Sequence, residues 1–586
     1  MSRATRQPRA RGVRGWVPIL DWLPAYDRRW LRADIVAGVA VAAMIVPKNL
    51  GYAGIAGIPL QNGLYAAAAG ALIYALFCTS RHVSTGPSSS LAAVAGGAVL
   101  VTGLTGDDAA QLVAAIALVT GVLFLLVAVL RLGWIAQFLS KAVVTGFLAG
   151  AAIDVVIGEL PKLTGTSADG TNAYQELVSW VGGLDEVHAA TLVVGLTSLA
   201  VILALRFLVP KAPGALVLVA GGLLASFVLD LGARGVALVG PVPSGLPVPR
   251  LPSADVVSGH GLEIGIASAA LLLIGFSQNA GDARAFAARH RYRIDVNQES
   301  VAQGMANVGA GVFQGMPVAT SLSASSLNES AGARTPLASI TTGLLVIATL
   351  MLLAPLFSQL PKAVLGAVII DAVVFGMIDI REFRRLYRLA RFDFSVAVAA
   401  AVGVLAVGVL FGILVGVALS LVWLVYRATR PSMPLLGREA GTQVYRDLDA
   451  HPDDEVVPGI AVLRLDGGLF FATAEVFDAR IRVLLEGDPS LRALVLDFEG
   501  VALVDAQGAS KLAEILDLAQ AEGVELRLAR IKPQVRAVLE RQALVGRIGA
   551  DHIHGNVHRA VEAQLAAEAG DGETSGRRAP ADTGEP

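Results

Sequence analysis

Long runs of this chain carry no aspartate, glutamate, lysine or arginine, among them residues 49–80, 109–130, 189–205, 212–229, 264–281, 300–328, 336–361 and 394–426. A helix needs about 20 mostly apolar residues to cross about 30 Å of hydrocarbon, and several of these runs are long enough for a helical hairpin or a broken helix. Divided at their glycine, proline and asparagine signals, they give about fourteen segments, the first near 33–47 and the last near 411–426. Composition agrees: 54% of residues are hydrophobic and 16% charged, against roughly 45–50% and 25% in soluble domains. The expectation is an all-α membrane protein.

Basic residues test that count, because Lys and Arg of short loops collect on the cytoplasmic side. The arginine-rich start (Arg3, Arg6, Arg9, Arg11, Arg14, Arg28, Arg29, Arg32) has no apolar stretch or cleavage signature of a secretory leader. If it lies inside, the loops after even-numbered segments hold Arg81, Arg131 with Lys141, Arg206 with Lys211, Arg284 to Arg293, Arg334 and the cluster Arg381 to Arg391. The other loops carry Asp107, Asp108, the acidic stretch 159–186 and the proline-rich 241–252. An even number of crossings then leaves both termini in the cytoplasm of a multi-pass protein of the cytoplasmic membrane.

After Arg430 short apolar runs alternate with charged turns, a soluble α/β pattern. Residues 460–465, 469–472, 493–498 and 525–530 are expected as strands, and 474–485, 506–520 and 533–541 as helices. The organisation expected is a cytoplasmic arm at 1–32, a transmembrane domain at 33–428, a soluble domain at 440–567 and a disordered tail at 568–586. The net charge of −2 gives no basic excess for a nucleic-acid partner, and the single cysteine, Cys78, excludes disulfides and thiolate metal sites.

Two places in the membrane part share one design, a proline followed by small and hydroxyl residues. They are Gly86-Pro87-Ser88-Ser89-Ser90 and Pro317-Val318-Ala319-Thr320-Ser321-Leu322-Ser323. About seven segments separate them, as two inverted halves require, and interrupted segments at matching positions point to a transporter's midplane site. A half-helix start presents unpaired backbone N–H groups and partial positive charge, suited to an anion. The plainer alternative is that small residues merely let helices pack closely.

At these residues the chain resembles the SulP anion transporters, the sulfate permease family. Ser80-Arg81-His82-Val83-Ser84-Thr85-Gly86-Pro87 is similar to that family's "SRHxSxGP" stretch and Gly63-Leu64-Tyr65 to its "YGLY" signature. Asp295-Val296-Asn297-Gln298-Glu299, Gly315-Met316-Pro317 and the run from Asn328 to Thr335 resemble its "DxNQE", "GxP" and "N-x-x-AGAxT" elements. The soluble domain sits where the family carries a STAS domain. The resemblance implies a seven-plus-seven inverted repeat of core and gate, a homodimer, and substrate held between the third and tenth helices.

The departures carry information. Where the family commonly has an acid in its eighth segment, for proton or sodium coupling, this chain has Gln278; Asp282, one turn on, is either a substitute or a helix-end residue beside Arg284. The arginine that some members carry in the tenth segment is Ala324 here. Lys48 stands where relatives have a neutral Gln, and an ionisable residue inside a membrane defaults to a functional hypothesis. It either supplies positive potential to the anion cavity or snorkels from a helix break at Pro47. Glu159 and Asp371 are expected at solvated ends, and Asp154 to pair with Lys141 or transfer a proton. In the soluble domain Asp505 is expected as a helix N-cap, and the stretch Asp505-Ala506-Gln507-Gly508 lacks a hydroxyl for a phosphoswitch.

Enzymatic chemistry finds no constellation: the pairs Asp107–Asp108 and Asp453–Asp454 lack a matching second set, and His552, His554 and His558 are expected on a solvated surface. The function expected is secondary transport of sulfate, bicarbonate, chloride or a dicarboxylate by an elevator-like movement. Ser88, Ser89, Ser90, Thr320, Ser321, Leu322, Ser323, Tyr52 and Lys48 would bind the anion, with Gln278 and Asp282 at the coupling position. No cofactor is expected beyond a coupling H+ or Na+. An uncoupled channel or exchanger, and a membrane-anchored STAS scaffold with a cytosolic partner, are the alternatives.

Overall fold

A computed structural model of the chain describes residues 16–132, 140–168, 170, 172–209 and 213–575. The chain divides into two compact units, 1–420 and 421–586. The first is helical. Its main helices are α1 (Leu31–Ile55), α2 (Leu60–Phe77), α3 (Ser89–Thr102), α4 (Gly106–Val129), α5 (Lys141–Thr164), α6 (Ala189–Leu208) and α7 (Gly214–Leu229). A second set follows: α8 (Gly261–His290), α9 (Val296–Val312), α10 (Leu322–Ser330), α11 (Leu337–Leu352), α12 (Lys362–Met377), α13 (Arg391–Val407) and α14 (Val409–Ala428). Among the described residues, seven helices are long and apolar enough to cross a membrane, and shorter apolar ones accompany them.

The packing has an internal two-fold. Several pairs of neighbours have a counterpart when every helix is exchanged with the one seven positions away. Thus α1 packs on α10 and α11 while α8 packs on α3 and α4, α2 on α11 while α9 packs on α4, and α5 on α13 while α12 packs on α6. Two groups result, α1–α4 with α8–α11, and α5–α7 with α12–α14. The interior is rich in alanine and glycine, whereas large side chains such as Phe227, Leu352 and Val193 face outward. In lipid, outward apolar surface costs nothing, and small residues let helices approach closely. A Cβ on Gly121 of α4 would lie 2.7 Å from the Gly304 carbonyl oxygen of α9, so that crossing needs glycine.

Two boundaries differ from those expected. The first segment does not stop at Pro47: α1 continues through Pro47 and Lys48 to Ile55. One interior proline removes one backbone hydrogen bond, and packed neighbours make that tolerable in a membrane helix. The chain before α1 includes a short helix, Ile19–Trp22. Residues 568–575, read as tail, continue the helix Val557–Ser575, while 576–586 lie outside the described residues.

The second unit carries a four-stranded parallel sheet, β5 (Ile460–Arg464), β6 (Ala493–Asp497), β7 (Glu525–Ala529) and β8 (Ile553–His554), in that spatial order. The first unit holds only the short pair β1 (Thr85–Gly86) and β2 (Ala319–Thr320) among its described residues, and in the second unit β3 (Leu436–Arg438) pairs with β4 (Tyr445–Asp447) as a separate ribbon. Helices α15 (Ala474–Gly487), α16 (Ala506–Ala521), α17 (Pro533–Arg541) and α18 (Val557–Ser575) complete it, around a core of its own centred on Phe477, Leu496, Phe498 and Leu512. Residues 469–472 are not a strand: only Leu469 makes a bridge, to Val504, and the chain then turns into α15. The fourth strand is instead β8, too short to show periodicity. His558 is buried rather than solvated, its Nε2 2.9 Å from Glu562, and no metal-holding cluster of His, Cys, Asp and Glu occurs among the described residues.

Candidate functional site: two broken helices facing one cavity

The two proline-hydroxyl motifs meet. Strand β1 (Thr85–Gly86) pairs antiparallel with β2 (Ala319–Thr320), with Thr85 opposite Thr320 and Gly86 opposite Ala319. Each strand leads into a half-helix, β1 into α3 and β2 into α10. The local reason is capping: the Ser88 hydroxyl accepts from the Leu91 amide and the Ser321 hydroxyl from the Ala324 amide. Both starts therefore keep other amides free.

Buried polar side chains hold the breaks in place. Glu299, fully buried, accepts from the Thr79 amide at 2.7 Å, the Thr79 hydroxyl at 2.5 Å, the Ser80 amide at 2.7 Å and the Tyr74 hydroxyl. Asn328 donates to the His82 carbonyl at 3.0 Å, and the Ser84 amide donates to Ser325 Oγ at 2.9 Å. On the second break Asn307 accepts from the Val318 amide at 3.0 Å and donates to the Val318 carbonyl at 2.9 Å.

Between the breaks and α1 lies a cavity of about 20 Å³ lined by Lys48, Asn49, Tyr52, Pro87, Ser321 and Ser323, among others. That is room for about one water-sized group. Two polar atoms of its lining residues, Asn49 Nδ2 and Thr85 Oγ1, are buried with no hydrogen-bond partner among the described residues. Asn49 is only 2% exposed. Lys48 also lines a larger cavity of about 430 Å³, with Arg206 and Asp371 at its wall. The start of α10, the Gly86–Pro87 turn that leads into α3, and Lys48 line the small cavity together, an arrangement for negative charge.

Of the residues expected to bind, Lys48, Tyr52, Ser321 and Ser323 line the cavity. Ser88 and Ser90 sit at the start of α3, their hydroxyls 3.1 Å apart, and Ser89 is buried there. Thr320 donates its hydroxyl to Asp282 at 3.0 Å, and Leu322 is 57% exposed on α10. Gln278 donates to Ser90 Oγ at 3.4 Å. The helix α8 thus touches both breaks, through Gln278 at the first and Asp282 one turn later at the second. Asp282 is not a helix-end residue, since α8 runs on to His290. Asn49 was missed; the only signal in the sequence is a second polar residue beside Lys48.

The remaining intramembrane acids are also relocated. Asp371 is buried in a two-pronged pair with Arg206, at 2.6 and 2.7 Å, and Glu159 is buried against Lys162 at 2.5 Å. Lys141 pairs with Glu382 at 3.0 Å, not with Asp154. Asp154 lines a separate cavity of about 260 Å³ with Glu159, Lys162 and Glu176. In the second unit Asp505 caps α16, accepting from the Gly508 amide at 2.7 Å, and its other oxygen accepts from the Phe471 amide at 3.0 Å.

The model of the sulfate permease family matches residues 31–400. The chain belongs to the sulfate permease family. Residues 451–560 match the STAS domain, which is the parallel-sheet part of the second unit. A Mycobacterium tuberculosis protein named a probable sulfate transporter is 36% identical over 552 residues, covering 94% of this chain and 98% of its own. High affinity sulfate transporter 2 of Stylosanthes hamata is 30% identical over 580 residues, covering 94% and 86%. Among solved structures, the murine Solute Carrier 26 family member A9 anion transporter in the inward-facing state superposes with a TM-score of 0.85 at 22% identity, covering 96% of this chain and 97% of that one. The transmembrane domain of a cyanobacterial bicarbonate transporter superposes with a TM-score of 0.57 at 22% identity, covering 67% and 98%. At that identity the superpositions establish the fold. This sulfate permease family member is a multi-pass membrane transporter, and its relatives are named as transporters rather than enzymes.

Proposed function

We propose that the protein is a secondary transporter of small anions, with sulfate the first substrate to test, and that the anion binds where α1 meets the two breaks, at a cavity that widens beyond its present water-sized volume to admit it. The observation that carries this reading is that the α10 start and the turn leading into α3 meet at a small cavity lined by Lys48 and by Asn49, whose Nδ2 has no partner among the described residues. Backbone amides at the two starts, the hydroxyls of Ser321 and Ser323, the Asn49 amide and the Lys48 ammonium supply the hydrogen bonds; Tyr52 closes one side. Relatives named as sulfate transporters support sulfate among the anions this chemistry accepts.

The site residues belong to the α1–α4 and α8–α11 group, and cavities of about 260 and 430 Å³ flank it along the second group. We read this as an elevator: the first group slides along the second, uncovering the site to each side in turn. Asp282, bound to Thr320 at the second break, is the proton-coupling group in place of the non-ionisable Gln278. The protein acts in the cytoplasmic membrane, as a homodimer with both termini inside.

The test is uptake of radiolabelled sulfate and bicarbonate into proteoliposomes of the purified chain, under an imposed pH or sodium gradient and with chloride as competitor. Saturable uptake that Lys48→Gln weakens supports the reading. No flux of any of these anions refutes it and favours a membrane-anchored STAS scaffold.

A further inference from the structure

The largest of the cavities described here lies away from the transport site, where the chain enters α1. It measures about 560 Å³, and Trp22, Trp30, Arg81, Tyr292 and Arg293 stand in its wall. The indole Nε1 of Trp22 is buried with no hydrogen-bond partner among the described residues. The Arg81 guanidinium lies over the Tyr292 ring, 5.5 Å from its centre, and Arg293 is exposed. Two acids also stand in the wall: Asp295, whose Oδ1 accepts from the Asn297 and Gln298 amides, and Asp21, both exposed.

The segment in front of α1 is clamped. Gln298 donates to the carbonyls of Trp16 and Phe77, and Tyr26 donates to Asp34. Its outer side shows Trp16, Leu20, Leu23 and Trp30, and the exposed Leu31, Ile35, Val36 and Val39 of α1 begin directly behind them. Exposed tryptophans at the end of an apolar helix face mark the membrane–water boundary. Apolar side chains with arginines, here Arg28 and Arg29, make an interfacial contact with anionic lipid. The cavity therefore opens at headgroup level. Its arginines also disfavour the chain's own arginine-rich start as occupant.

We propose that this cavity holds the phosphate of an anionic phospholipid, taken by Arg81, Arg293 and the Trp22 N–H. The occupant touches the loop 78–81, which Glu299 grips and which leads into β1, so the lipid steadies the first break of the transport site. This rests only on the chain being a membrane protein and does not depend on which anion it carries.

The experiment titrates the full chain in neutral detergent by calorimetry with dihexanoyl phosphatidylglycerol, dihexanoyl phosphatidylcholine and glycerol 1-phosphate. Phosphatidylglycerol is expected to bind at least about tenfold more tightly than phosphatidylcholine, as two interfacial arginines worth about fivefold each allow. The double variant Arg81→Gln, Arg293→Gln weakens it by about 25-fold on the same basis. Trp22→Phe, which keeps an aromatic ring and removes the donor, weakens it by about fivefold. Equal binding of the two lipids, or unchanged phosphatidylglycerol affinity in both variants, overturns the proposal. Glycerol 1-phosphate binding as tightly as the lipid also overturns it, assigning the pocket to a soluble phosphate.

Discussion

Glu299 is the most informative residue to remove, because its carboxylate satisfies several buried groups at once. Glu299→Ala leaves the Thr79 amide, the Ser80 amide and the Tyr74 hydroxyl without their acceptor, while the Thr79 hydroxyl can rotate. An unsatisfied buried donor costs about 1–3 kcal/mol, so three of them amount to about 3–9 kcal/mol. Water admitted to the vacated space brings the net toward the lower figure. Glu299→Gln keeps one carbonyl oxygen for the two amides and turns an NH₂ toward Tyr74, whose oxygen can accept; its cost is about 1 kcal/mol. The loss is local, in the loop that leads to β1, so amide hydrogen exchange is the assay. At about tenfold per 1.4 kcal/mol, peptides covering 78–86 exchange at least about a hundredfold faster in Glu299→Ala and less than about tenfold faster in Glu299→Gln. Sulfate affinity falls with the same ranking. Unchanged exchange in the alanine variant, or equal damage in both, would refute the reasoning that Glu299 acts as an acceptor for this loop.

Three further outcomes are expected. Lys48→Gln lowers anion affinity by about 10- to 100-fold, the worth of a charge-assisted hydrogen bond of about 1.5–3 kcal/mol; an unchanged KM for uptake contradicts its place in the site. Asp282→Asn abolishes the response of uptake to a pH gradient while gradient-free exchange persists, and a variant still driven by the gradient removes Asp282 from coupling. In the STAS unit, burial alone would raise the Asp497 carboxyl, but hydrogen bonds from Arg530, Arg464 and the Glu499 amide hold it below the ordinary aspartate value. The unfolded chain then binds the extra proton, so this contribution is present above about pH 4 and is lost as pH falls through the folded value. Urea unfolding of residues 431–575 at pH 6 and pH 3 measures it, and Asp497→Asn flattens the difference.

Much of the architecture is legible in the sequence because it rests on local pattern. Charge-free runs mark the helices, and the repeated proline-hydroxyl motif marks the pair of breaks that β1 and β2 join. Alternating apolar runs after Arg430 mark the sheet of the second unit. Partnership across the chain is not legible. Arg206 and Asp371 are 165 positions apart, so nothing local shows that Asp371 is buried against a guanidinium rather than solvated. Asp282 reads as a helix-end charge until α8 is seen to continue to His290. Pro47 reads as a stop because local propensity is against it, whereas packing carries α1 past it and turns Lys48 and Asn49 onto the cavity. That the Ser88 hydroxyl caps its own helix is a local signal, whereas the bond from the Thr320 hydroxyl to Asp282, 38 positions away, is not legible in the sequence.

The central claim is that the anion sits between the two half-helix starts beside Lys48. Anomalous diffraction from crystals of the full chain soaked with selenate tests it most directly. A selenium peak is expected within hydrogen-bond reach of the backbone amides at the starts of α3 and α10 and of Lys48 Nζ, lost in the Lys48→Gln, Asn49→Leu double variant. A peak against Arg206 in the larger cavity, with the small one empty, would contradict it.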